Sequence, residues 1–262
     1  TLRHFGGPAE AVVRMEGLPE VPLGLRSGLQ TVELLTPPVK QATERKITIE
    51  ISGKSLATKT VLIKPVRPMT VYILPHSHTD IGYTDIQTAI EQKQVNNLLQ
   101  GIEAARKTAA YPEGARFIWN VEVPWAADLY LRRLSQAQRA ELLEAVSKGQ
   151  VALCGMYLNM LTGLCRPEEL VRGFRYSTKL AQQCGVTIDS AMISDVPGYT
   201  WGTVTAMSQA HIKYFSVAPN YFDRIGTILK HWENKPFYWV GPDGKTEVLV
   251  WIPWRGYALS HI

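Results

Sequence analysis

No stretch of this 262-residue chain approaches the roughly 18 consecutive apolar residues that a membrane span needs, and its first residues lack the basic-then-apolar profile of a signal peptide. A membrane protein is not expected. Cysteine is scarce: Cys154, Cys165 and Cys184 are too few and too scattered for a disulfide framework, form no C-x-x-C pair, and read as small buried apolar residues that assign no compartment. Like charge never accumulates into a run of five, and no basic stretch is interleaved with stacking aromatics, so nucleic-acid binding has no support. Disorder is excluded by what is present: 45% hydrophobic and 19% charged residues are enough to build a core. Residues 1–70 hold ten Lys/Arg against six Asp/Glu (+4), leaving 18 against 17 (+1), so the net basicity is mostly N-terminal. The chain starts at Thr1 without a Met and stops at Ile262 without a terminating signal, as expected of an excerpt from something longer.

Two textures divide the chain. Residues 1–40 are rich in Gly and Pro, which favours turns and extended segments. Residues 46–51 then alternate polar and apolar, Ser52-Gly53-Lys54 can turn, and residues 60–63 supply a second strand. A small antiparallel β domain over residues 1–68 is predicted, with Pro65 and Pro68 marking a linker. From residue 69 to 262 short apolar runs alternate with helical patterns, the form of an α/β domain with a parallel sheet. Strands are predicted at residues 70–74, 116–119, 151–156, 188–194 and 212–217, and a hairpin over 237–240 and 248–252. Helices are predicted at 85–107, after the Ser135 capping box, from Pro167 to Gly185, and from Trp201.

In parallel α/β domains the reactive side chains lie just past the carboxyl ends of strands. Two segments have that place and a suitable composition. Pro75-His76-Ser77-His78-Thr79-Asp80-Ile81-Gly82-Tyr83 follows the 70–74 run, and Ser194-Asp195-Val196-Pro197-Gly198-Tyr199 follows 188–193. His-x-His-x-Asp mixes N and O ligands suited to a zinc-type divalent metal, and in extended chain alternate side chains share a face. The alternative is a polar loop whose histidines cap a helix. Asp195, between an apolar strand and Pro-Gly, calls for a partner or a metal; the alternative is a turn-forming Asp or the cap of the Trp201 helix.

These residues resemble glycoside hydrolase family 38, the retaining, zinc-dependent α-mannosidases, over roughly residues 70–250. The 75–83 stretch is similar to the family's opening zinc motif, which maps its ligands onto His78 and Asp80. Phe117-Ile-Trp-Asn-Val-Glu122, residues 148–156 and residues 167–174 are similar to successive landmarks. Asp195 falls at the position of the nucleophile that also touches zinc. The resemblance implies a (β/α)7-type barrel, a carbohydrate substrate, Zn2+ as cofactor and attack by Asp195 on the anomeric carbon, with a second carboxyl serving as acid and base. Tyr83 stands where the family places an aromatic under the sugar, or alternatively packs on the barrel rim, and His76 orients the ligands.

The chain also departs from the pattern. Val196-Pro197-Gly198 replaces the usual Pro-Phe-Gly, and Val217-Ala218-Pro219-Asn220-Tyr221 lacks the Arg often found near the nucleophile. The fourth zinc ligand, a downstream His, is not equated with His261, and Asp223, Glu233 and Asp243 are available as acid/base without one being assigned. Two other readings stand beside the glycosidase: a metal-dependent polysaccharide deacetylase or amidohydrolase, and a non-catalytic sugar-binding fragment. The seven tryptophans are expected in core or rim packing, and Arg132, Arg133 and Arg139 on a solvated helix face.

Overall fold

Alternating apolar and polar residues set the first part of the chain as antiparallel strands. A computed structural model of the chain describes residues 1–220 and 226–254. It divides into two units, Thr1–Tyr72 and Ile73–Ile262. In the first, β1 (Leu2–His4) pairs with β4 (Gly28–Gln30), and a second sheet runs β3 (Val21–Leu25), β2 (Ala9–Met15), β5 (Thr43–Ile51), β6 (Lys54–Ile63), antiparallel throughout. One face of β2 buries Ala11, Val13 and Met15. Ser52 and Gly53, with φ of 48° and 75°, make the two-residue turn between β5 and β6, a conformation glycine adopts without strain.

The second unit opens with α1 (Gln87–Lys107), whose buried stripe of Ile90, Val95, Leu98, Ile102 and Ala105 follows the predicted helical spacing. Each fully buried Val, Leu or Ile contributes about 1.5–3 kcal/mol. Gly101 sits inside this helix for a packing reason: a Cβ there would lie 2.6 Å from Trp119 Cγ. Then come β7 (Trp119–Val121), α2 (Trp125–Arg133), α3 (Gln136–Ser147) with the capping box of Ser135 and Gln138, and β8 (Val151–Leu153). They are followed by α4 (Pro167–Arg172), α5 (Arg175–Cys184), β9 (Ser190–Ser194), α6 (Gly202–Gln209) and β10 (Tyr214–Ala218). Last are α7 (Ile228–Trp232), β11 (Phe237–Val240) and β12 (Glu247–Trp251). No helix among the described residues is long and apolar enough to cross a membrane.

β9, β10 and β12 are parallel, with β11 antiparallel at the edge. β7 and β8 form a parallel pair, and the Gly155 amide just past β8 donates to the Ser190 carbonyl at 2.8 Å, leading from that pair to β9. One core lies among α1, α2, α3, β7 and β8; a second lies among β9, β10, β12, α4 and α6. The expected mixed α/β architecture is present. A closed (β/α)7 barrel is not found among the described residues, where two parallel sheets remain separate.

Three local expectations are corrected. Residues 70–74 form no strand, and Val71, Tyr72, Ile73 and Leu74 are exposed: an apolar run becomes a buried strand only beside ladder partners, and none pairs with it among the described residues. Pairing begins one step later, where the Asn120 amide donates to the Pro75 carbonyl at 2.9 Å and His76 bridges Asn120 in parallel. The strand expected at 116–119 is displaced to Trp119–Val121, where β8 supplies its partner. The single helix expected from Pro167 to Gly185 is two, because the Gly173 carbonyl accepts the Tyr157 amide at 2.9 Å instead of continuing the helical ladder. Its end is as expected, with Gly185 in the left-handed region at φ 68°.

Candidate active site

The parallel strands end on one side, and the polar residues just past those ends gather there. His76, His78 and Asp80 stand on the segment before α1, Glu122 follows β7, Asn159 lies in the loop after β8, Asp195 follows β9 and Asn220 follows β10. A pocket of about 480 Å³ is lined by His78, Asp80, Tyr83, Asn159, Asp195 and Asn220, among others.

Ligand-type atoms of His78, Asp80 and Asp195 lie within 4.8 Å of one another. His78 Nε2 is 3.3 Å from Asp80 Oδ1. That is about the separation of two ligands held at about 2.0–2.1 Å on a tetrahedral ion. One imidazole and two carboxylates suit a borderline divalent metal. Three side-chain atoms along the pocket, Asn159 Oδ1, Ser194 Oγ and Asn220 Oδ1, are buried without a hydrogen-bond partner within the described protein. Such atoms are costly in a finished core and are expected where a ligand completes the site. The residues therefore fit a metal with a polar ligand beside it.

Asp195 sits at φ 59°, in the left-handed region, with its amide donating to the Ala218 carbonyl at 2.7 Å. Aspartate is among the few non-glycine residues that visit this region. Asn220 Nδ2 donates to Asp195 Oδ1 at 2.7 Å, which fixes one carboxylate oxygen. His76 does not join the ligand-type cluster; its Nδ1 is 3.3 Å from Glu122 Oε2. Tyr83 stands on the pocket margin, 88% exposed.

Charges are set by these contacts. Burial pushes the Glu122 carboxyl up, but hydrogen bonds and charge from His76 and His78 outweigh it and hold it at about 2. For His78, burial favours the neutral ring, yet the Glu122 hydrogen bond and the charges of Glu122, Asp80 and Asp195 raise its pKa. Burial, followed by the charges of Glu122 and Asp195, raises the Tyr199 hydroxyl far above its usual range.

The other acid/base candidates lie elsewhere. Asp243 Oδ1 accepts the Lys245 and Thr246 amides at 3.0 and 2.9 Å, shaping the turn between β11 and β12, and neither it nor Glu233 lines the pocket. Asp223, Tyr221 and His261 lie outside the described residues. Cys154 and Cys184 are buried and Cys165 half-buried, all as free thiols. Of the tryptophans, Trp125 is buried, Trp119 and Trp239 pack partly buried against the two cores, and Trp201, Trp232, Trp251 and Trp254 are exposed. Arg132 and Arg133 do face solvent, paired with Asp128 and Glu91. Glu122, Asn159 and Asn220 carried no assigned role in the sequence, although each follows a strand, the signal that singled out Asp195.

Residues 68–261 match the N-terminal domain of glycosyl hydrolases family 38. Among solved structures, the chain is similar to a protein in glycosyl hydrolase family 38 from Enterococcus faecalis, at 16% identity and a TM-score of 0.51 over 69% of this chain and 18% of that one. It is similar also to an alpha-mannosidase from Enterococcus faecalis V583, at 19% identity and a TM-score of 0.52 over 68% of this chain and 19% of that one. The chain thus spans about a fifth of the length of these structures. No curated protein matches it. With three quarters of its length matching one family's domain, and its pocket at the strand ends of an α/β fold, the chain belongs to glycosyl hydrolase family 38.

Proposed function

We propose that this chain carries the catalytic site of an α-mannosidase-type glycosidase that cleaves with retention, and that Asp195 is its nucleophile. The observation that carries the reading is the meeting of Asp195 with His78 and Asp80 in one pocket that also holds three partnerless buried polar atoms. His78, Asp80 and Asp195 would hold Zn2+, which when bound supplies an electrophilic anchor for adjacent sugar hydroxyls. In this reading the parallel strands belong to a (β/α)7-type barrel spanning the domain of residues 69–262, and residues 1–68 form a separate β domain.

The carboxylate of Asp195 attacks the anomeric carbon, the bond from that carbon to the leaving oxygen breaks, and a covalent glycosyl ester forms. A second carboxyl, not assigned among the described residues, protonates the leaving oxygen and then takes a proton from the water that cleaves the ester. Asn220 holds Asp195 Oδ1, leaving the other oxygen to attack. Asn159 and Asn220 line the pocket beside Asp195, and Tyr83 offers a ring face at the pocket margin.

The test is metal analysis of the purified protein with and without chelator, paired with an aryl α-mannoside assay and mass spectrometry after a fluorinated glycosyl reagent. About one zinc per chain, activity lost on chelation and a label on Asp195 are expected. Acetate release without a glycosyl adduct would replace the reading with a deacetylase, and sugar binding without turnover would reduce the chain to a binding domain.

A further inference from the structure

The reaction above leaves without a task the most deeply buried carboxylate among the described residues: Glu122, 1% exposed and away from the lining of the main pocket. A carboxylate in that position is costly unless its oxygens are engaged. They are. Oε2 takes His76 Nδ1 at 3.3 Å, while Oε1 lies 3.5 Å from His78 Nδ1 and accepts from Asn159 Nδ2 at 3.1 Å and from the Ser194 amide at 3.0 Å.

The contact to His78 decides which ring nitrogen is available. With the proton on Nδ1, facing a carboxylate, the Nε2 lone pair is turned out, and Nε2 is the atom 3.3 Å from Asp80 Oδ1. The opposite tautomer would donate from Nε2 to Asp80 Oδ1 at 3.3 Å, but it would turn the Nδ1 lone pair toward the Glu122 carboxylate and leave it to the Asn159 Nδ2 amide at 3.4 Å, which has a closer, charged acceptor in Glu122 Oε1 at 3.1 Å. Glu122 is fully buried while Asp80 is part-exposed, so a carboxylate oxygen left without a donor costs more at Glu122, and the Nδ1–H tautomer is favoured. The same oxygen holds the amide of Ser194, the residue before Asp195.

We infer that Glu122 is the positioning residue of the site: its carboxylate fixes His78 with Nε2 presented to a metal and, through the Ser194 amide, sets the placement of Asp195 against it. The inference rests on the metal-binding reading given above. Glu122 touches neither substrate nor reacting atoms; it acts through the histidine and the strand end that it joins.

Glu122→Gln keeps the shape and removes the charge. Zinc affinity, measured by competition with a chromophoric chelator, is expected to fall about 10–100-fold, as for other carboxylates behind a metal-bound histidine. Cobalt loaded in place of zinc should show an altered visible absorption spectrum. Because the substitution could also prevent folding, circular dichroism accompanies it, and a second measurement needs no variant: nitrogen NMR of His78 in the chelated wild-type protein, alkaline enough for a neutral ring, should report the Nδ1–H tautomer. An Nε2–H tautomer, or a folded Glu122→Gln that binds zinc as tightly as wild type, overturns the inference. Failure of the wild type to take up zinc would instead overturn the metal reading, with the His78 tautomer still judging Glu122.

Discussion

The segment that carries His78 and Asp80 and the turn that carries Asp195 reach the same pocket by different means. The first has no ladder-paired strand behind it among the described residues and, apart from the short backbone bridge of Pro75 and His76 to Asn120, is held by side chains: Gln94 Nε2 donates to Ser77 Oγ and to the His78 carbonyl, both at 3.3 Å, and Asn97 Nδ2 donates to Ser77 Oγ at 3.0 Å. The second leaves β9, paired along its length with β10, and is held through its own amides, Asp195 N–H donating to the Ala218 carbonyl and Thr200 N–H to Thr162 Oγ1 at 2.8 Å. Tyr199 packs edge-on against Phe215 within the second core. Side-chain anchoring makes the first segment vulnerable to single substitutions. Backbone anchoring spreads the load in the second, leaving the chemistry of Asp195 itself as its sensitive point.

The largest effect is expected at that point. Asp195→Asn keeps a residue that tolerates positive φ, so thermal unfolding should move by no more than a few degrees while turnover of an aryl α-mannoside falls at least about 10³-fold. A comparable loss of stability would show that the carboxylate braces the turn, and the contrast between the two segments would weaken.

Next in size is the response of the chelator-treated protein to pH. Glu122 is held at about 2 against an ordinary 4.5, so its contribution is full above pH 4.5 and drains away as pH falls toward 2. His78 is raised from 6.5, so its contribution is full below pH 6.5 and is lost as pH rises through the folded value. Urea unfolding across this range should therefore find greatest stability between about pH 4.5 and 6.5, with an acid loss on the order of 3 kcal/mol. A profile equally steep in Glu122→Gln would place the sensitivity outside the His78 segment.

The smallest effect compares one anchor of each kind. Gln94→Leu strips a donor from the His78 carbonyl and should cost about 1–3 kcal/mol and weaken zinc uptake, whereas Thr162→Val should cost about 1 kcal/mol with zinc uptake unchanged. Equal effects on zinc would erase the distinction between the two modes of support.

What could be read from the sequence was local. The α1 stripe, the Ser135 capping box, the Gly185 stop and the hairpin closed around Asp243 depend on residues a few positions apart, and each lies where the pattern placed it. Residues 70–74 misled because apolar composition cannot say whether partners are present, and the 167–185 helix misled because its break depends on the distant Tyr157 amide. The site divides the same way. The motif brought forward His76, His78 and Asp80 as neighbours in sequence, but that His76 turns toward Glu122, 46 positions away, belongs to the fold. Asn159 and Asn220 were equally hidden, since an isolated asparagine in a loop is ordinary until its amide is found against a buried carboxylate or an Asp.

The left-handed backbone at Asp195 also limits which residues this position can accept. At φ 59° glycine, asparagine and aspartate sit with little penalty, whereas a longer or branched side chain is strained. Exchange of Asp for Glu, the substitution that would preserve charge, is opposed by main-chain geometry before any question of chemistry arises. The reach of the carboxylate in this chain is therefore set together with the turn that carries it.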